Sequence, residues 1–181
     1  LSVFETYHFR IRAENSRGIT FSNNMTFTTH YVLGESYFGG IIFYLDGSGE
    51  HGLVCAAEDQ STGIIWYNGN YVLTNATAKN VGAGAANTAT IVAIQGAGEY
   101  AAKLCYDLNL NEYSDWFLPS KDELNLMYDY LTHGDYGYCV YWSSSEGDLY
   151  TAWKLGVQTG GSDSNYYDKY GYYPVRAARA F

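Results

Sequence analysis

Short stretches in which apolar and polar residues alternate recur along the chain, and this period of two predicts half-buried β-strands. Near the N-terminus, His and Arg residues alternate with the apolar residues Tyr7, Phe9, Ile11 and Ala13. An Asn-Ser-Arg-Gly turn at residues 15–18 separates this strand from a second one at residues 25–29. The start of the chain is therefore predicted to form antiparallel strands.

The strongest strand signal in the middle of the chain is the apolar run at residues 39–45. A Gly-rich turn follows it at residues 46–50, and residues 52–56 are apolar again. This order predicts a buried β-hairpin. Further short strands are predicted at residues 140–143, 151–157 and 175–181.

Two stretches have helical spacing instead. The first is predicted to begin with a cap at Asn87 or Thr88 and to run to Leu108, with Gly96 and Gly98 as weak points. The second begins at a capping box in which Ser120 is followed three residues later by Glu. Its apolar residues then recur at helical spacing, at Leu124, Met127, Tyr128 and Leu131.

Length and charge narrow the class of protein. The 181 residues suffice for one main core and a short extra piece. The formal net charge of -9 disfavours nucleic acid and anionic membrane surfaces as partners. No apolar run approaches the roughly 20 residues of a membrane-spanning helix, so membrane insertion is not expected. The first residues lack the features of a signal peptide, and we expect a fragment or a processed chain.

The three cysteines, Cys55, Cys105 and Cys139, share no metal-type spacing. We expect buried free thiols, which behave as small apolar side chains. A disulfide between two of them stays open as the alternative, because a surface protein meets an oxidising environment.

The N-terminal segment YHFRIRAENSRG, followed by FTT, resembles the last two strands of a fibronectin type III domain. The resemblance covers less than about a sixth of the chain, and a lone hairpin is marginally stable in water. We expect residues 1–30 to be a partial fibronectin type III-like hairpin and residues 31–181 to form the main domain.

An ordered set of sequence motifs occupies the main domain: GGIIFYLDGSGEHGLV, VGAGAANT, SDWFLPSKDEL, YWSSSE, AW and VRAARAF. This set resembles the bacterial domain family related to the C-terminal domain of the Legionella collagen-like adhesin. The resemblance implies an α+β, C-type-lectin-like fold, in which two helices pack on a twisted antiparallel sheet and the ends lie close together.

Members of that group include the variable proteins of diversity-generating retroelements, in which adenines of the last codons are rewritten. The tail of this chain has the matching Tyr, Asp, Ser and Gly composition, and nine of the twenty tyrosines lie between Tyr136 and Tyr173. The residues between the fixed motifs are predicted to face outward and bind a ligand: Asp148, Leu149, Tyr150, Lys154, Gln158, Ser162, Ser164, Tyr166, Tyr167, Tyr170 and Tyr172.

This composition is typical of a binding surface, because Tyr gives a large, stiff contact while Ser, Gly and Asn adapt to the partner. We expect a protein or glycan ligand on another cell or host surface, and an extracellular, cell-surface or virion-associated location. Two alternatives stay open: a non-variable, adhesin-like glycan-binding domain, and an oxidase resembling the formylglycine-generating enzymes. Tyr141 and Tyr173 also fit half-buried strand positions.

Several motifs suggest chemistry and have simpler interpretations. Gly82-x-Gly84 lacks the βαβ context of a dinucleotide site, and the turn at Asp46 has Ala57 where a calcium loop needs Glu. The sugar-binding sequence motifs of calcium-dependent lectins do not occur in this sequence either. Ser143, Ser144 and Ser145 near Cys139 and His133 have no orienting acid. We therefore expect no catalytic residue, metal or cofactor, and we expect Arg176 and Arg179 to pair with acids such as Asp115 or Glu123.

Overall fold

A computed structural model of the chain describes residues 1–128, 138–158 and 161–181, without the side chains of residues 138, 139, 157, 158 and 161–164. Its helices are α1 (Gly84–Gln95), α2 (Ala101–Tyr106) and α3 (Lys121–Leu126). Its strands are β1 (Thr6–Phe9), β2 (Arg12–Asn15), β3 (Gly18–Phe21), β4 (Met25–Thr28), β5 (Ser36–Tyr37), β6 (Gly40–Leu45), β7 (Gly52–Cys55), β8 (Ser61–Ile64), β9 (Tyr138–Glu146), β10 (Thr151–Gln158), β11 (Gly161–Asp168), β12 (Tyr173–Val175) and β13 (Ala178–Ala180). The fold is mixed α and β, rich in sheet, with short helices.

The predicted central hairpin is confirmed as β6 and β7, which lie inside an antiparallel sheet of order β13-β7-β6-β5. Ile42 of β6 and Val54 of β7 are fully buried, and the remaining apolar side chains of the hairpin are at least partly buried. The last strand of the chain pairs with β7, placing Ala178 opposite Cys55. Phe181 then stacks on Phe38 at 4.3 Å. Residues 31–181 thus begin and end side by side, as the resemblance implied.

A second antiparallel sheet, of order β11-β10-β9, carries most of the tail. The chain also forms the pairs β12-β8, β1-β4 and β2-β3. The main core lies where these elements meet the helices, and it includes Trp66, Trp142 and Tyr100, all fully buried. Both indoles donate hydrogen bonds to backbone carbonyls, Trp66 to Ser143 at 2.8 Å and Trp142 to Ile64 at 2.9 Å.

The helices differ from the predicted pair. The first predicted helix is two helices, because α1 starts at Gly84 and stops before Gly96, whose φ of 70° ends the helical conformation. Asn87 lies inside α1 rather than at its cap, and its side chain donates to the carbonyl of Ala78 at 2.7 Å. The capping box at Ser120 and Glu123 is confirmed and starts α3.

The strands also differ in detail from the prediction. Residues 7–13 form two strands, since β1 pairs with β4 whereas β2 pairs with β3, and the exposed Ile11 lies between them. Residues 175–181 likewise divide at Arg176 into β12 and β13. Strand β11 was missed because six of its eight residues are Gly, Ser, Asp or Asn, which rarely mark strands. Strand β8 was missed because its four residues, STGI, are too few to show an alternating pattern. The result is several small sheets rather than the one twisted sheet expected.

Candidate ligand-binding site

Tyrosines from three separate segments lie together at the surface, where Tyr71, Tyr150 and Tyr170 are exposed and Tyr67 is partly buried. Tyr67 stacks on Tyr71 with ring centroids 4.7 Å apart, and the edge of Tyr150 meets Tyr71 at 5.1 Å. The pKa of the Tyr71 hydroxyl is raised by partial burial, by its hydrogen bond with Tyr67, and by the nearby Asp168 and Tyr170. We define the tyrosine surface as Tyr67, Tyr71, Tyr150 and Tyr170, together with Tyr167 and Tyr172, the exposed tyrosines next to Tyr170 in the same segment.

A buried ion pair lies beneath the tyrosine surface. Lys169 and Glu146 have fully buried side chains and are 2.7 Å apart. The Lys169 ammonium also donates to the carbonyls of Asp148 and Leu149, at 2.8 and 3.0 Å, and lies 4.7 Å from the ring centre of Trp66. Burial lowers the pKa of Lys169, and the hydrogen bond to Glu146 opposes this shift. The Lys169 ammonium therefore fixes the position of residues 146–150 from the buried side.

Glu146 also binds the segment that carries Tyr67 and Tyr71. Its carboxylate accepts the backbone N–H groups of Thr74 at 3.0 Å and of Asn75 at 2.7 Å. The backbone of Lys169 links both neighbours as well, because it donates to Tyr150 and accepts from Trp66, each at 2.9 Å. The three tyrosine-bearing segments thus share one fixed polar junction, which limits the entropy lost when a ligand binds.

The turn that carries Tyr150 has its own local support. The Asp148 carboxylate accepts the N–H groups of Tyr150 at 2.8 Å and of Thr151 at 2.7 Å. These hydrogen bonds lower the pKa of the Asp148 carboxyl group. Asp148 is itself exposed, so it shapes the turn and remains available to a partner.

The alternation of β10 and β11 divides the predicted site between two faces of the sheet. Trp153 lies opposite Tyr166, and Lys154 lies opposite Asn165. Because successive strand residues point to opposite faces, Tyr166 and Tyr167 are on different sides. Lys154 departs from its predicted outward position: only 5% of it is exposed, and its ammonium lies 4.3 Å from the ring centre of Tyr167.

The other predicted site residues are placed as follows. Leu149 is partly exposed, and Tyr172 is the most exposed tyrosine of the tyrosine surface at 72%. The exposed members of the predicted set are Asp148, Tyr150, Tyr166, Tyr167, Tyr170 and Tyr172. The side chains of Gln158, Ser162 and Ser164 lie outside the described residues. Contact of the predicted set with a ligand stays a prediction.

Sequence reasoning missed Tyr67 and Tyr71, which lie far from the tail in the chain, and the pair Glu146 and Lys169. Lys169 lies between Asp168 and Tyr170 in the sequence, and such a polar stretch is typical of a charged side chain that faces solvent. The one available signal was the high density of tyrosine and asparagine at residues 67–75. Tyr141 is fully buried and Tyr173 partly buried, in agreement with the strand positions left open for them.

Three of the motifs that resemble chemical sites have structural roles. The Glu123 carboxylate accepts the N–H of Gly82 at 2.7 Å and that of Gly84 at 3.4 Å, so a protein carboxylate occupies this glycine loop. The Asp46 carboxylate accepts the N–H groups of Ser48 and Gly49 within its own turn. The hydroxyls of Ser143 and Ser145 donate to backbone carbonyls, and both residues are fully buried.

The cysteines and the C-terminal arginines agree in part with expectation. Cys55 and Cys105 are buried, as predicted, and burial raises the pKa of the Cys55 thiol to about 11. His133 and the side chain of Cys139 lie outside the described residues. Arg179 pairs with Asp115, as predicted, and Arg176 pairs with Asp59 at 2.6 Å, an acid that the prediction did not name.

No three His, Cys, Asp or Glu side chains within residues 1–128, 138–158 and 161–181 cluster as metal ligands would. Among the helices described, none has the length and apolar character needed to cross a membrane.

The chain is similar in structure to a fimbrial protein from Bacteroides ovatus, with a TM-score of 0.59 and 12% sequence identity. The similarity covers 93% of this chain and 56% of the fimbrial protein's chain. This chain therefore spans little more than half the length of that structure. No protein-family model and no curated protein matches the sequence. At this identity the likeness concerns the fold alone, a sheet-rich mixture of α and β elements.

Proposed function

We propose that the chain is an adhesion or receptor-recognition domain that binds a protein or glycan on another cell or host surface. The observation that carries the proposal is the tyrosine surface, in which aromatic side chains from three segments are exposed together. Monomeric proteins rarely expose such patches without a partner. The buried junction of Glu146 and Lys169 beneath it supports a preorganised binding face. The proposed function is binding alone, without catalysis.

The finer identity is part of the same proposal. The chain is a C-type-lectin-like variable protein of a diversity-generating retroelement, displayed outside the cell or on a virion. Its motif set, its adjacent ends and the exposure of Tyr150, Tyr170 and Tyr172 support this. The structural likeness to a fimbrial protein is compatible with surface display.

Binding of the labelled domain to a panel of bacterial and epithelial cells tests the binding role. A triple variant, Tyr71→Ala, Tyr150→Ala and Tyr170→Ala, should weaken binding at least about a hundredfold, because tyrosine hot spots each contribute roughly 2 kcal/mol or more. Tyr106→Ala is the matched control, since Tyr106 is exposed on α2. An unfolded triple variant would show that these tyrosines are core residues and would contradict the proposal.

The surrounding DNA tests the retroelement. We expect a near-identical repeat of the segment encoding residues 142–181 beside a reverse-transcriptase gene, differing almost only at adenines. Codons for Tyr150, Tyr170 and Tyr172 should differ between the copies, whereas those for Trp142 and Arg176, which are buried, should match. Differences spread evenly over buried and exposed positions would contradict diversification.

A further inference from the structure

A second cluster of aromatic and basic side chains lies on the opposite face of β10 and β11 from Lys154 and Tyr167. The rings of Trp153 and Tyr166 are 4.1 Å apart and tilted by 44°. The ammonium of Lys79 lies 4.8 Å from the ring centre of Trp153, and that of Lys121 lies 5.3 Å from it. Two cations therefore surround one indole, at the edge of a partly exposed pair of rings.

The protein holds both lysines in place through their backbones. The carbonyl of Lys79 accepts the hydroxyl of Ser120 at 3.1 Å and the N–H of Asp122 at 2.9 Å. The N–H of Lys121 donates to the hydroxyl of Ser145 at 3.0 Å. Segment 76–80 and the start of α3 are thus fixed to each other and to β9, so both side chains start from anchored positions.

Tyr166 is positioned by a glycine. A Cβ atom added at Gly147 would overlap the Tyr166 ring, so that ring can lie against the backbone only because residue 147 has no side chain. Tyr166 nevertheless remains 42% exposed and offers part of its ring to solvent. Its hydroxyl lies 3.5 Å from the Lys79 ammonium.

The charge of the cluster contrasts with that of the chain. The chain carries a formal charge of -9, yet none of the ion pairs between described residues includes Lys79. Lys121 pairs with its neighbour Asp122 at 2.8 Å, in an arrangement that is partly open to solvent. The indole N–H of Trp153 is buried and has no hydrogen-bond acceptor among the residues that the structure describes. Two ammonium groups near one ring repel each other, and a bound anion would relieve that repulsion.

We propose that Lys79, Lys121, Trp153 and Tyr166 form a binding site for an acidic sugar residue. The apolar face of the sugar ring packs on the exposed aromatic surface, and its carboxylate or sulfate accepts charge-assisted hydrogen bonds from the two lysines. A single anionic group suits a local pair of cations in a protein whose overall charge repels polyanions. The site is separate from the tyrosine surface, and either can be correct without the other.

Calorimetric titration with galacturonic acid, which carries one carboxylate, tests the site, with its methyl ester as the neutral, otherwise matched ligand. We expect the acid to bind at least about tenfold more tightly than the ester, since hydrogen bonds to charged groups are stronger than those to neutral groups. Lys79→Gln should weaken binding of the acid by about tenfold. Lys103→Gln, which alters a lysine on α2 paired with Asp107, should leave it unchanged.

A parallel titration with galactose 6-sulfate shows whether carboxylate or sulfate is preferred, and binding of either one supports the site. Equal affinity for acid and ester, unchanged affinity in Lys79→Gln, or no binding of either anionic sugar would overturn it. A lower melting temperature in Lys79→Gln with unchanged affinity would also overturn it, because the lysine would then only cover the indole. The triple tyrosine variant should retain full affinity, which separates failure of this site from failure of the proposed function.

Discussion

Replacing Lys169 with Met removes the cation on which the three tyrosine-bearing segments converge. Met retains an unbranched apolar stem, so the loss of packing is small. The loss of the positive charge has the larger effect on stability. The substitution leaves the Glu146 carboxylate fully buried without its counter-ion, and it leaves the carbonyls of Asp148 and Leu149 without the ammonium donor.

The expected loss of unfolding free energy is about 3–5 kcal/mol, the usual cost of removing one partner of a buried ion pair. Glu146 keeps its hydrogen bonds from Thr74 and Asn75, which places the value nearer the lower end. For a chain of this size, each kcal/mol lowers the melting temperature by roughly 2–4 °C. We therefore expect Lys169→Met to melt about 10 °C below the unaltered protein.

Urea unfolding of four proteins measures the interaction: the unaltered chain, Lys169→Met, Glu146→Gln and the double variant. The double variant should lose at least about 1 kcal/mol less than the sum of the single losses, because the neutral amide no longer needs a cation. Hydrogen exchange should also become faster at residues 147–151 in Lys169→Met, since the carbonyls of Asp148 and Leu149 lose the ammonium that holds this turn. A loss below about 1 kcal/mol, or additive single losses, would refute the structural role given to this pair.

Two further changes have defined outcomes. Ser120→Ala should lower the unfolding free energy by about 1–2 kcal/mol, because Ser120 caps α3 and its hydroxyl also donates to the carbonyls of Lys79 and Asn80. Ser2→Ala, at an exposed position, is the control, and an equal loss in both variants would contradict this role of Ser120. Because the folded pKa of Cys55 is raised from 9.0 to about 11, the unfolded chain releases this proton first, and stability should fall as the pH rises from about 9 to 11. Cys55→Ala should remove roughly 2–3 kcal/mol of that fall, and an unchanged pH dependence in urea unfolding would contradict the burial of the thiol.

The sequence predicted those parts of the structure that depend on near neighbours. The hairpin of β6 and β7 and the capping box at Ser120 are local patterns, and both are found as expected. The end of α1 at Gly96 was visible as a weak point, although not as a break into two helices. The exposure of Tyr150, Tyr170 and Tyr172 followed from their places between apolar motifs.

What the sequence did not reveal depends on distant partners. Glu146 and Lys169 look like solvated charges until the fold brings them together with Thr74 from the middle of the chain. Lys154 sits in an alternating strand in which a lysine normally faces water, yet here its stem is covered and its ammonium lies against Tyr167. Tyr71 joins the candidate surface only because residues 67–75 fold back onto Glu146.

Hydroxyl-radical footprinting of the domain, free and bound to a cell type selected from the panel, tests the tyrosine surface most directly. We predict that binding protects Tyr71, Tyr150, Tyr170 and Tyr172 from oxidation, while Tyr37 and Tyr106, which are similarly exposed elsewhere, react at unchanged rates. Protection of Tyr37 or Tyr106 with unchanged oxidation of the tyrosine surface would contradict the account.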